Sequence, residues 1–505
     1  MANRLLRFVL AQVVLSLLLL LVWSWPQIDD AYIFLTYARH LASSGLFALN
    51  GGEVSYGFSS PAYVLLLAAT SKITGLAVSV GTANVLGFLL CIFAALAIWL
   101  LWEELQVQLS NAEISVSAIL VSGPWFFTAW FFFGMETGLA VFSILGLLLA
   151  LAKLRAQAHT LPWLLVGIAS ASTLAITRLE SGIYIAGAII VALFASRSRR
   201  EVRDLFLIGV FSGAVEIGWL LYAKRTFGTY MPWSSTARLL YYLPTAYTHI
   251  VAERFHHLGP IARTLFAVKA ALHMLFDGPL KILLVALPLG VAIFFERAKS
   301  TPDTLRFMLR IAISGFVLQI VTFSYLFPLA QNRHFAPYLC CLWVLVVPLI
   351  VRSAQRTSPF VQSALVLAIV VLWIGGAIQY RSSGEKLGPL HRLAASNLLP
   401  TDRVAAEPIG ILSFESPAHI IDLGGLTDRD AWPMLEKFSN SQLSEVIAWD
   451  LSKGATKLVL KAEQCGASGE IFGHYCLINA GDAQSLVHDS NNSKPIATQP
   501  PAPER

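Results

Sequence analysis

The chain has 505 residues, of which 56% are hydrophobic and only 13% charged, against about 25% charged in an ordinary soluble protein. Charged faces between the apolar runs, which a large soluble core requires, are mostly missing, so the composition selects a polytopic membrane protein. The net charge of +6 comes from short basic clusters between apolar segments, the pattern of loops facing anionic lipid rather than of a nucleic-acid surface.

The first apolar run, Leu5 to Trp25, follows Arg4 and Arg7. It is longer than a signal-peptide core and no small-x-small site follows it, so an uncleaved span with a cytoplasmic N-terminus is predicted, with Trp23 and Trp25 at the interface. Next comes "IDDAYIFLTYARHL", with Asp29 and Asp30 at its start and Ile33, Tyr37 and Leu41 at helical spacing. "NGGE" and "GFSSP" read as turns. Segment 60–76 is apolar but short, and holds Ser71 and Lys72. The predicted arrangement is two helices lying in the membrane interface, presenting Asp29 and Asp30 at its outer edge.

Further spans of about 20 residues are predicted at 80–102, 114–131, 136–153, 161–178, 182–196, 205–223, 279–296, 307–327, 335–351 and 361–380, about eleven in all with the first. Alternation from a cytoplasmic N-terminus places Lys153 and Arg155, then Arg197, Arg199, Arg200 and Arg203, then Arg297, Lys299 and Arg306, then Arg352 and Arg356 inside, as the positive-inside rule asks. Only "WEELQVQLSNAE" breaks the pattern.

From about Ser382 the composition becomes soluble. "RVAAEPIGILSF", "HIIDLGGLTD", "TKLVLKA" and "HYCLINA" read as strands and short helices of a small α/β module outside the membrane. The predicted division is a transmembrane domain over 1–381, an extracytoplasmic α/β domain over 382–482 and a disordered, Pro-rich tail over 483–505. In an oxidising exterior Cys465 and Cys476 can form a disulfide; two free thiols is the alternative. No CxxC or HExxH spacing marks a metal site.

On this topology the conspicuous ionisable groups gather on the outer face. They are Asp29 and Asp30, Glu136 in "FFFGMETGLA", Arg178 and Glu180 in "ITRLESG", Lys224 and Arg225, and Arg333 and His334 in "QNRHFAPY". Each has a plainer reading alone: Asp30 as a helix cap, a base near a span end as snorkelling, Glu136 and the Arg178–Glu180 pair as solvated turn residues. Together they suit a substrate that is both anionic and lipid-bound. Glu216, inside a span, stands apart.

These features resemble the GT-C class of integral-membrane glycosyltransferases. "DDAYIFLTYARHL…NGGEVSYGFSSPAYVLLLA" looks like the branch that includes the mycobacterial terminal arabinofuranosyltransferase, with its "DDAF/Y-I-x-x-R-Y-A" opening and "GYTN/S-P-x-W" turn. "GMETGL" resembles that branch's "G-M/L-E-T", "TRLESG" its "TRPEG", and "IDLGGLTD" an element of its outer domain. This chain departs in lacking the proline of "TRPEG" and the "GYTN", and in having "PWSS" at Pro232 to Ser235 in place of a "PNT"-like turn.

The resemblance implies a sugar, arabinofuranose being one option, passed from a polyprenyl-phosphate donor without nucleotide to a glycan, lipid or protein acceptor of the cell envelope, in the bacterial cytoplasmic membrane. It makes Asp29 the general base, with Asp30 orienting it, raising its pKa or sharing a divalent cation with it. Arg39, Arg178, Lys224, Arg225, Arg333 and His334 are candidates for the donor phosphate. Tyr37, Tyr56, Ser59, Glu136 and Glu180 are candidates for sugar or acceptor. The rival classes are a transporter or flippase of a lipid-linked saccharide, which would carry mid-span polar groups on broken helices and internal repeats, and a membrane-anchored binding module. Another polyprenyl-linked reaction, such as polymer ligation, is the nearest enzymatic rival.

Overall fold

The computed structural model describes residues 2–22, 28–107, 109–122, 131–132, 134–156, 161–237, 279–299, 301–326, 332–354, 367, 371, 387–431, 443–462 and 469–484. Trp23, Trp25, Cys465, nearly all of the expected span at 361–380 and the tail beyond 484 lie outside them.

Helices lie at the other expected spans: α1 (Ala2–Val22), α4 (Val80–Glu104), α5 (Asn111–Ser122), α6 (Thr137–Arg155), α7 (Leu161–Thr177), α8 (Ser181–Phe194), α9 (Arg199–Phe227), α11 (Pro279–Arg297), α12 (Asp303–Leu326) and α13 (Asn332–Ala354). Between them come α2 (Asp29–Ser44), α3 (Pro61–Thr74) and the short α10 (Trp233–Ala237). Among the described residues, Val80–Glu104, Thr137–Arg155, Arg199–Phe227, Asp303–Val321 and His334–Ser353 are long and apolar enough to cross a membrane. The apolar helices at Asn111–Val121, Leu161–Thr177 and Ser181–Phe194 are shorter.

Local chemistry sets several helix starts. Ser110 and Glu113 form a reciprocal capping box at α5: the Glu113 N–H donates to Ser110 Oγ and the Ser110 N–H donates to Glu113 Oε2. Ser198 caps α9 through the Glu201 N–H at 3.1 Å. Burial then sorts the helices. The apolar stretch of α6 is 89% buried and that of α9 only 17%, so α6 is the centre of the bundle and α9 lies at its rim.

Ion pairs join the loops expected on the cytoplasmic side. Arg155, at the end of α6, reaches Asp303 at 3.1 Å and Glu201 at 3.5 Å, and Arg197 also meets Asp303 at 2.5 Å. Lys153 pairs with Glu104, so the acidic loop that breaks the charge pattern has its carboxylate neutralised by the next basic loop. Glu136 stands at the opposite end of α6, about 28 Å away for a helix of this length.

The C-terminal part builds α14 (Gly388–Ser396), β1 (Arg403–Ala406), α15 (Ile409–Glu415), β2 (His419–Asp422), α16 (Leu443–Ser452), β3 (Lys457–Lys461), β4 (Glu470–Phe472) and β5 (Tyr475–Asn479). The sheet order is β2-β1-β3-β5-β4. β1 pairs in parallel with β2 and β3, while β5 runs antiparallel to β3 and β4. Side chains alternate across the sheet with period two. Val404, Ala406, Ile420, Val459 and Leu477 share the core of the helical bundle, whereas Ala405, Ile421, Leu458, Leu460 and Ile478 form a second core with Ile447 of α16. Cys476 of β5 is disulfide-bonded, whereas Cys91, Cys340 and Cys341 are not in disulfides.

The first outer helix departs from the expected surface platform. Residues Ala31 to Ala38 of α2 are all buried, not one face alone, because α3 covers one side and α15 another. A helix apolar all round is a buried helix, and here the C-terminal domain supplies the cover.

Candidate active site

Asp29 and Asp30 open α2, where carboxylates meet the free N–H groups and positive end of the helix. Consecutive helical residues point about 100° apart, so the pair divides. Asp29 turns to the C-terminal domain: Oδ2 accepts the Gly410 N–H at 3.0 Å and Oδ1 the Ile411 N–H at 2.8 Å. Burial at this junction pushes the Asp29 carboxyl up to about 6, against the pull of those two donors. Gly410 has to be glycine here, since a Cβ on it would lie 1.9 Å from the Asp29 carbonyl oxygen.

Asp30 lines a cleft of about 40 Å³ at the Glu136 end of the bundle. Ile33 and Phe34 of α2 continue its wall, and Gly57, Phe58 and Ser59 of the outer loop form another. Met135 and Glu136 enter from the turn before α6, Ser234 from α10, His334 from α13 and Leu426 from the loop after β2. Four candidates from separate sequence motifs, Asp30, Ser59, Glu136 and His334, therefore share one cleft.

Behind Glu136 stands Arg178, 3% exposed. Its Nη1 donates to Glu136 Oε1 at 3.2 Å and its Nε to Glu180 Oε1 at 2.8 Å. Glu136 Oε2 is buried and has no hydrogen-bond partner among the described residues. A carboxylate fixed through one oxygen, with the other left without a donor, is suited to accept from a substrate hydroxyl. Glu216, on α9, lies against Gly182, two residues past Glu180.

Arg39, Tyr37, Tyr56, Lys224 and Arg225 do not line the cleft. Arg39 donates to the Phe414 carbonyl at 2.8 Å and stacks over the Phe414 ring at 3.7 Å, so it fastens α2 to α15. The Tyr37 hydroxyl is paired with Ser55 Oγ at 2.7 Å and accepts the Gly57 N–H at 3.0 Å. Tyr56 accepts from Trp219 Nε1 at 2.9 Å and stacks on Phe227 at 4.4 Å. Both tyrosines brace the outer loop rather than face a substrate. Lys224 and Arg225 are exposed at the end of α9, with Lys224 Nζ donating to the Gly228 carbonyl at 3.0 Å. Arg333 begins α13 beside His334, its side chain outside the described residues.

A cation shared by Asp29 and Asp30 does not fit this arrangement: both Asp29 oxygens face backbone donors on α15, and Asp30 faces the cleft. Among the described residues no group of three or more His, Cys, Asp or Glu side chains is gathered as a metal site.

Sequence reasoning missed Phe58, Met135, Ser234 and Leu426 as cleft residues, although each lies within or beside a quoted motif. Leu426 is set by a local device. Asp422 Oδ2 accepts the Thr427 N–H at 2.5 Å and its hydroxyl at 2.8 Å, closing the "DLGGLT" turn. That turn packs on Gly57, where a Cβ would meet Thr427 Cγ2 at 2.2 Å and the Leu426 carbonyl at 2.8 Å.

A helical bundle with a C-terminal sheet domain closing over the loop after the first helix is a fold that solved structures share. The chain is similar to ArnT from Cupriavidus metallidurans bound to undecaprenyl phosphate, at 11% identity and a TM-score of 0.57 over 95% of this chain and 98% of that one. The apo state of the same protein matches at 12% identity and a TM-score of 0.54, over 94% of this chain and 98% of that one. The Archaeoglobus fulgidus oligosaccharyltransferase in complex with zinc and sulfate matches at 11% identity and a TM-score of 0.53, over 91% of this chain and 68% of that one. At such identities the likeness is one of fold. Residues 370–486 match a domain of unknown function (DUF8728). No protein of curated function matches by sequence.

Proposed function

We propose that this chain is a GT-C glycosyltransferase that moves a sugar from a polyprenyl-phosphate donor to an extracytoplasmic acceptor, with Asp30 as general base. What supports the reading most is the meeting of Asp30, Ser59, Glu136 and His334 in one cleft at the Glu136 end of an apolar bundle with this fold. The resemblance of the "DDAY" and "GMET" segments to the arabinofuranosyltransferase branch favours a pentofuranose as the sugar.

The acceptor hydroxyl oxygen attacks C1 of the donor sugar and Asp30 takes its proton. The bond from C1 to the phosphate oxygen breaks, and the lipid phosphate leaves with the electron pair. His334, at the start of α13, offers a hydrogen bond to that phosphate, and the cations proposed to meet its charge are Lys224 and Arg225, exposed at the end of α9. Glu136, held by Arg178, accepts from a sugar hydroxyl through its other oxygen. Asp29 acts at a distance, fixing the turn that aims Asp30.

The test is the Asp30→Asn protein, purified full-length. Its co-purified lipid, read by mass spectrometry, is expected to include a polyprenyl-phosphate sugar, and transfer from that donor is expected to fall by about 100- to 10,000-fold. Near-normal transfer by Asp30→Asn would refute the base assignment. A preparation carrying phospholipid alone would count against the donor class.

A further inference from the structure

We infer that a second cleft, on the solvent side of the wall behind Asp30, is the subsite for a neutral saccharide of the acceptor; this rests on the transferase reading above. The cleft holds about 310 Å³, at the lower end of the ~300–1,000 Å³ usual for ligand sites. It lies between the outer-loop turn at Glu53 and Val54, Trp233, and the C-terminal domain at Arg403, His419 and Asp428.

Its position relative to the first cleft is set by chain neighbours. Ser55 lines the larger cleft and Gly57 the smaller, Trp233 the larger and Ser234 the smaller, Thr427 the larger and Leu426 the smaller. Three segments thus form a wall one or two residues thick, with the candidate base on one face and the larger cleft on the other. The two clefts therefore share the same three segments.

The larger cleft is also built on a fixed floor. Asn50 spans the free edge of β2, accepting the Ile420 N–H and donating to the Ile420 carbonyl, both at 2.9 Å. Edge pairing of this kind holds the outer-loop turn in place against the sheet.

The chemistry of the lining selects the ligand. Glu53 and Asp428 supply acceptors and Arg403 supplies donors, while Asp430 is already paired with Lys453 at 2.8 Å. Burial, with Arg403 beside it, holds His419 below the usual imidazole range, so at neutral pH the ring both donates and accepts. Trp233 carries a buried indole N–H without a hydrogen-bond partner among the described residues and an aromatic ring on which an apolar sugar face can lie. Carboxylates at least match cations here, which disfavours phosphate and suits a ligand rich in hydroxyls and without charge.

The experiment uses the full-length protein in detergent, with arabinofuranotriose, mannotriose, maltotriose and inorganic phosphate as probes in saturation-transfer NMR. Undecaprenyl phosphate binding is read separately by native mass spectrometry. At least one trisaccharide is expected to bind. Glu53→Gln and Asp428→Asn are each expected to weaken it by about tenfold, the loss of a hydrogen bond to a charged group. Val54→Trp, at an exposed position on the rim, is expected to abolish it by filling the cleft. Undecaprenyl phosphate binding should be unchanged in all three variants, which also reports that they are folded. Binding by none of the trisaccharides, binding indifferent to Val54→Trp, or displacement of the trisaccharide by phosphate would overturn the inference. Saccharide binding by a protein that does not bind undecaprenyl phosphate would instead keep the subsite and remove the transferase reading.

Discussion

Asp29 and Gly410 are 381 residues apart and in direct contact, the Gly410 N–H donating to Asp29 Oδ2 at 3.0 Å. This joint ties the first turn of α2 to the start of α15, and so sets the direction in which Asp30 points. Gly410→Ala would force a Cβ against the Asp29 carbonyl oxygen, 1.9 Å away. Overpacking of this kind costs about 1–3 kcal/mol. The expected result is a C-terminal domain that is cleaved faster in limited proteolysis of the full-length protein. Unchanged cleavage would show that the joint does not hold the domain.

The same joint should depend on pH. The carboxyls of Asp29 and Asp422 are each raised by burial from an ordinary 3.8 to about 6. Between those values the folded state binds more protons than the unfolded state. The stability they contribute is full below about 3.8 and is lost as pH rises through 6. The outer junction is therefore expected to resist proteolysis better at pH 5 than at pH 7.5, with a protease active at both. Asp29→Asn with Asp422→Asn should flatten that difference; an undiminished difference in the double variant would assign it to other groups.

Gly57→Ala tests the wall. Its Cβ would meet Thr427 Cγ2 at 2.2 Å, pushing the turn that carries Leu426 away from Asp30. Transfer is expected to fall by about tenfold or more, as geometry-sensitive steps do, while α2 and α3 remain folded by circular dichroism and thermal melting. Unimpaired transfer would mean that the position of Leu426 is immaterial to the reaction.

Arg178 bridges Glu136 and Glu180 while 3% exposed. Arg178→Ala leaves the buried Glu136 carboxylate without its partner, and is expected to cost about 3–5 kcal/mol of stability. Glu136→Gln keeps the shape and removes the charge, so it should leave thermal stability closer to that of the parent and lower transfer instead. If Glu136→Gln melts as low as Arg178→Ala and transfers normally, Glu136 has a structural role alone.

The sequence by itself determined where most of the described helices lie. Apolar runs long enough for a bilayer have few other solutions, because backbone N–H and C=O groups in lipid must be paired within the segment. Charge alternation between the runs was legible for the same reason. The chain alone also marked Asp30, Glu136 and His334 as ionisable groups near span ends, and the family resemblance marked Ser59. Pattern could not tell Asp29 from Asp30, or show that Arg39, Tyr37 and Tyr56 brace the outer loop and helix instead of facing a substrate. Those outcomes depend on Gly410, Ile411 and Phe414 arriving at α2 from a domain nearly four hundred residues away. Two adjacent helical positions differ locally only by a rotation of about 100°; which of them meets a protein donor and which meets the cleft is fixed by what packs on each side.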